Sequence, residues 1–78
     1  MEREIIFSER VKALRLSAGL TQPQLGAAVG LSKQAVNGIE HGRRHTTLRN
    51  ACVLADYFGV SLDYLVGRSD DPGGQPPP

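Results

Sequence analysis

Between residues 10 and 49 the chain carries Arg10, Lys12, Arg15, Lys33, Arg43, Arg44 and Arg49 against a single acid, Glu40. The flanks set Arg3 and Arg68 against Glu2, Glu4, Glu9, Asp56, Asp63, Asp70 and Asp71, so a net charge of +1 hides a cationic middle and anionic ends. Such a stretch suits an anionic partner such as a phosphate backbone, and it equally suits the solvated outer faces of helices. Other chemistry has less to build on. Serine, histidine and aspartate all occur, yet no nucleophile motif surrounds any serine, so a triad has no support and no enzyme is expected. His41, His45 and Cys52 lack zinc-ligand spacing, which leaves no metal site and no cofactor to predict. As the sole cysteine, Cys52 cannot close an internal disulfide, and its neighbours Val53, Leu54 and Ala55 predict a buried, inert thiol.

The elements that must position these residues read as helices. With 78 residues there is room for one small domain. Its apolar runs fall far below the roughly 18 to 20 residues of a membrane span. Met1-Glu2-Arg3-Glu4 lacks the basic start and apolar stretch of a signal peptide, so a cytoplasmic protein with no membrane association is expected. No segment alternates apolar and polar residues for long, whereas helix start and stop signals recur, so the fold class is all-α. Ser8 can cap a first helix over about 9–18 with Val11, Leu14 and Ala18 as its apolar face, Phe7 just outside and Gly19 behind it. That leaves residues 1–7 as an N-terminal arm.

Thr21-Gln22-Pro23-Gln24 fits a capping box with proline in the first turn, opening a second helix over about 22–29 that stops at Gly30. Ser32 caps a third helix, about 33–41, ending at Gly42. Thr46 or Thr47 opens a fourth with Leu48, Ala51, Leu54, Ala55 and Phe58 on one face, and Ser61 caps a short fifth with Asp63 in its first turn. From Arg68 to Pro78 little is available to bury, and residues 68–78 are expected to form a disordered Pro/Gly-rich tail.

Two short helices joined by a tight glycine turn are the sequence form of a helix-turn-helix. Counting from Gln22, Leu25, Val29, Leu31, Val36 and Ile39 fall where the two helices face each other and the core, Gly26 where they approach closely, and Gly30 at the turn. The stretches Leu20-Thr21-Gln22 to Leu25, Val29-Gly30-Leu31-Ser32, Val36, Ile39-Glu40-His41-Gly42 and Leu54 to Gly67 together resemble the Cro/repressor-type helix-turn-helix family, also called Xre-like. The resemblance covers about residues 8–67. It implies a compact five-helix, lambda-repressor-like DNA-binding domain whose third helix enters the major groove, and a transcriptional regulator, by family default a repressor.

Carried over position by position, the resemblance assigns base reading to Lys33, Gln34, Asn37 and Gly38, and phosphate contact to Gln22, Ser32, Arg43, Arg44 and His45. The side-chain chemistry agrees: Gln34 can pair with adenine N6 and N7, Lys33 can donate to guanine O6 and N7, and Asn37 offers an amide to either. Arg15 and Glu40 match a pair that relatives bring together between the first helix and the end of the third, an architectural ion pair. Gly38 departs from the family, standing where relatives often carry a long polar side chain, and Thr46 and Thr47 replace a proline often found before the fourth helix. The implied partner is double-stranded DNA carrying a pseudo-palindromic operator, bound by a homodimer for which Tyr64 and Val66 are the candidate contacts. No small-molecule ligand is evident. The competing reading is a protein-interaction module on the same fold, an anti-repressor or antitoxin-like partner binder.

Overall fold

A computed structural model of the chain describes residues 2–42 and 46–73. Five helices follow one another: α1 (Glu2–Ser17), α2 (Gln22–Val29), α3 (Lys33–Glu40), α4 (Leu48–Phe58) and α5 (Leu62–Leu65). α3 packs against α1 and α2, α2 against α4, and α5 against α1 and α4. Their shared core is Phe7, Val11, Leu25, Val36, Ile39, Ala51, Leu54, Ala55 and Leu65, with Leu14, Leu20, Val29, Leu31, Phe58, Val60, Leu62 and Val66 packed around it.

The start of α1 corrects the expectation of an arm over 1–7. Ser8 does not cap a helix; it lies inside one, where its hydroxyl donates back to the Glu4 carbonyl at 3.0 Å. The physical reason is burial. Phe7 stands one turn before Val11 and is itself 7 % exposed, so the apolar stripe begins earlier than Val11 and draws the preceding turn into the helix. Ile6 also packs over Gly67 so tightly that a Cβ there would meet its side chain at 2.7 Å. At the other end Ala18 lies beyond the helix and is exposed, so it adds nothing to the apolar face.

The remaining caps follow the sequence. Thr21 accepts from the Gln24 backbone at 3.2 Å while Gln24 Oε1 accepts from the Thr21 backbone at 2.9 Å, completing the capping box. Thr47 and Ser61 accept from the Asn50 and Tyr64 backbones at 3.0 Å each, so Thr47 is the cap of α4. Two expectations about α4 fail together. Leu48 is 72 % exposed, and Cys52, one turn later, shares its solvent face. The stripe Ala51, Leu54, Ala55 points the other way, so apolar neighbours in sequence do not bury the thiol.

The segment after α5 is docked over residues 68–73, against the expectation of disorder. Ser61 donates its backbone N–H to the Pro72 carbonyl at 2.9 Å, and an isolated antiparallel bridge pairs Val60 with Gly73. Arg10 clamps the same segment, donating to the carbonyls of Tyr64 and Ser69 and to Asp70 Oδ1 at 2.9 Å. Its guanidinium also lies 4.1 Å from the centroid of the Tyr64 ring. The expected tail beyond Gly73, and with it the triple proline, lies outside the described residues. Among the described residues no helix is long and apolar enough to cross a membrane, and no group of three His, Cys, Asp or Glu side chains converges.

Candidate nucleic-acid interface

The turn between α2 and α3 fixes how α3 is presented. Gly30 takes a φ of 76°, a left-handed conformation strained for residues with a Cβ, and Leu31 N–H closes on the Gly26 carbonyl at 2.8 Å. Gly26 is buried because nothing larger fits: a Cβ there would overlap the Leu31 carbonyl oxygen and stand 3.4 Å from the Ser32 carbonyl carbon. α3 therefore leaves the turn at one angle and lies on α2 with Val36 and Ile39 in the core.

Its opposite face begins at the N-terminus. Ser32 caps the helix, accepting from the Ala35 backbone at 3.0 Å, which leaves the backbone N–H groups of Lys33 and Gln34 without partners among the described residues. Ser32, Lys33 and Gln34 are all exposed, so three of the expected contact residues stand together at a helix end that favours anions. In α2 the capping box serves Gln24 and proline removes one donor, so the Gln22 N–H is the spare amide of that first turn among the described residues.

Asn37 is half-buried one turn along α3, and Gly38 is buried. Gly38 follows Gln34 by one turn and so shares its face, but it is a glycine and offers no side chain to a base edge. Gln22 is also half-buried, and its amide bridges the two helices: Nε2 donates to Glu40 Oε1 at 3.2 Å and Oε1 accepts from Asn37 Nδ2 at 3.3 Å. Sequence reasoning missed this bridge. Nothing in residue spacing reveals it, because Gln22 and Glu40 meet only once the turn angle is set.

The architectural pair is present and bidentate. Arg15 Nε donates to Glu40 Oε2 at 2.6 Å, Nη2 donates to Oε1 at 3.0 Å, and Nη1 donates to the Leu20 carbonyl at 2.8 Å. The side chains are 10 % and 1 % exposed. The hydrogen bond and charge of Glu40 raise the Arg15 pKa above its ordinary value against the opposing effect of burial, so the guanidinium stays charged. His41 follows the helix, its Nδ1 lying 2.8 Å from the Asn37 carbonyl.

Two members of the cationic segment are thus withdrawn from any outer face: Arg10 faces the docked C-terminal segment and Arg15 the interior. Lys33, Arg49 and Lys12 remain exposed. Arg43, Arg44 and His45, the expected phosphate contacts after α3, lie outside the described residues. Tyr64 and Val66, the candidate dimer contacts, are each half-buried within this chain: the Tyr64 ring lies against Arg10 and Val66 packs against the core.

A helix-turn-helix family model matches residues 11–65. The uncharacterized HTH-type transcriptional regulator y4dJ of Sinorhizobium fredii is 34 % identical over 71 residues, an overlap covering 91 % of this chain and 92 % of the relative. The uncharacterized HTH-type transcriptional regulator YobD of Bacillus subtilis is 33 % identical over 67 residues, 86 % of this chain, and the chain spans 60 % of its length. The fold is similar to the crystal structure of the restriction-modification controller protein C.AhdI from Aeromonas hydrophila, with a TM-score of 0.74 and 31 % identity, covering 83 % of this chain and 98 % of that one.

Proposed function

Because the chain belongs to the Cro/repressor-type helix-turn-helix family of transcriptional regulators, we propose that it binds double-stranded DNA sequence-specifically and represses transcription, with α3 seated in the major groove. The observation that supports this most is the division of α3 into two faces. Val36 and Ile39 are locked in the core while Lys33 and Gln34 stand exposed, their backbone N–H groups without partners among the described residues. A rigidly held helix with its polar N-terminal end outward is the geometry of a recognition helix. Lys33, Gln34 and Asn37 read base edges; Ser32, the α2 N-terminus at Gln22, Arg43, Arg44 and His45 hold the backbone.

The chain binds as a homodimer on a pseudo-palindromic operator. Its extents of 32 × 28 × 22 Å let two copies sit side by side on half-sites about 34 Å apart. Tyr64 and Val66, half-exposed around α5, border the contact. Repression then follows from occupancy of the site in the cytoplasm.

The test is selection from a random duplex library at two salt concentrations, with the native chain and with a Lys33→Ala/Gln34→Ala variant. A common palindromic site should be enriched by the native chain and lost in the variant, while salt-sensitive background binding persists. With about four to six phosphates neutralised per subunit, log K should fall with log salt at about −0.9 per contact. Absence of duplex binding even at low salt overturns the proposal and moves the protein to the interaction-module reading.

A further inference from the structure

The bridge between α2 and α3 does more than join them, because it fixes which way each amide faces. Glu40 is held by Arg15 through both carboxylate oxygens, so both oxygens only accept hydrogen bonds. The Gln22 amide, 3.2 Å from Glu40 Oε1, must therefore turn Nε2 toward the carboxylate, since the flipped amide would set two acceptors face to face. Its Oε1 then faces Asn37 at 3.3 Å and, by the same rule, draws Nδ2 of Asn37 inward. Asn37 is left to present Oδ1, an acceptor, beside the one Nδ2 hydrogen that Gln22 does not take.

We propose that Arg15, Glu40 and Gln22 act as a polarity relay that holds Asn37 Oδ1 outward, making Asn37 a reader of bases that donate in the major groove. This rests on the reading of α3 as the recognition helix. Only adenine, through N6, and cytosine, through N4, donate there; guanine O6 and thymine O4 are acceptors and would meet Oδ1 with like polarity. An unconstrained asparagine could turn to suit either class. With its amide set by Gln22, Asn37 discriminates between them although it is the only member of the network to touch the base. Gln22 and Glu40 are thus positioning residues for specificity.

The test uses the full chain, native and Gln22→Met, a swap that keeps side-chain length at a half-buried position. The operator position read by Asn37 is first identified as the one whose preference disappears in Asn37→Ala, and the strand it reads as the one on which a base analogue lacking the exocyclic major-groove amino or carbonyl group weakens binding. Base identities refer to that strand. Duplexes carrying each of the four pairs at that position are then titrated by fluorescence anisotropy. The native chain should favour adenine or cytosine over guanine or thymine by about tenfold, the scale of one well-made base contact. Gln22→Met should bind all four within about twofold to threefold, while the preferences set by Lys33 and Gln34 persist. A merely structural role for Gln22 would instead weaken every duplex equally, and that result overturns the relay. So does a native preference for guanine or thymine, or an unchanged preference in Gln22→Met.

A second readout needs no DNA. In side-chain amide NMR spectra of the free protein, the Asn37 amide protons should be protected from exchange in the native chain and lose that protection in Gln22→Met. Unprotected native signals overturn the relay alone. Protected signals together with no sequence selectivity on any duplex would overturn the recognition-helix reading, and the base-reading role with it.

Discussion

Arg15→Met isolates the interior ion pair, because methionine fills similar volume without charge. In the native chain the guanidinium gives three hydrogen bonds, two to Glu40 and one to the Leu20 carbonyl. After the substitution the Glu40 carboxylate, with its side chain 1 % exposed, keeps only the Gln22 Nε2 donor among the described residues. An uncompensated buried charge of this kind costs about 3–5 kcal/mol. For a chain this short total stability is about 4–12 kcal/mol, and each kcal/mol moves the melting point by about 4–8 °C. Arg15→Met should therefore melt at least about 12 °C lower. Arg15→Met/Glu40→Leu removes both charges and should recover to within about 1 kcal/mol of the native chain, since apolar replacements of a whole buried pair are commonly neutral. Thermal melts give the first value and urea melts the second, both followed by far-ultraviolet circular dichroism. A single-variant loss under about 1 kcal/mol, the worth of an exposed pair, or a double variant no better than the single, refutes the reasoning.

Gly26→Ala should destabilise the domain by about 1–3 kcal/mol, because its Cβ has no space beneath the Leu31 carbonyl; a melting curve identical to native would refute the close approach. Arg10→Ala removes the clamp on residues 68–73. Hydrogen exchange at the Ser61 amide should accelerate at least about tenfold while α2 and α3 keep their protection, and uniform protection would show that the segment holds without Arg10. Cys52 should react fully with a thiol reagent in the native state, as its exposure on α4 requires; a thiol that reacts only in denaturant would contradict the placement of α4.

Legibility in the sequence followed the range of the interaction. The caps at Thr21, Ser32 and Ser61 and the turn at Gly30 were readable because each is settled within about four residues of chain. The start of α1 was not, since Ser8 has the type of a cap and its role is decided by where Phe7 and Ile6 pack. Leu48 and Cys52 show the same limit in reverse: hydrophobic type marked them as core, and the rotation of α4 set by Ala51, Leu54 and Ala55 left them outside. The site divides likewise. The exposure of Lys33 and Gln34 follows from helix phase, whereas the clustering of positive charge promised more than the fold delivers, because Arg10 and Arg15 find partners 60 and 25 residues away. The bridge through Gln22 belongs to tertiary geometry alone.

That bridge bears on why an ion pair lies inside so small a core. A buried salt bridge is a weak source of stability, and apolar residues of equal volume would hold α1 against α3 as well or better. Apolar side chains at both positions would leave the Gln22 amide free to turn, and a glutamine in place of Glu40 could face it with either of its ends. Only a carboxylate accepts on both oxygens, and a buried carboxylate requires a partner as strongly charged as Arg15. The pair is therefore better understood through its third contact, the 3.2 Å hydrogen bond from Gln22, than through its strength. On this view Arg15→Met/Glu40→Leu separates two properties that the native chain combines: it keeps the fold and releases the orientation of Asn37.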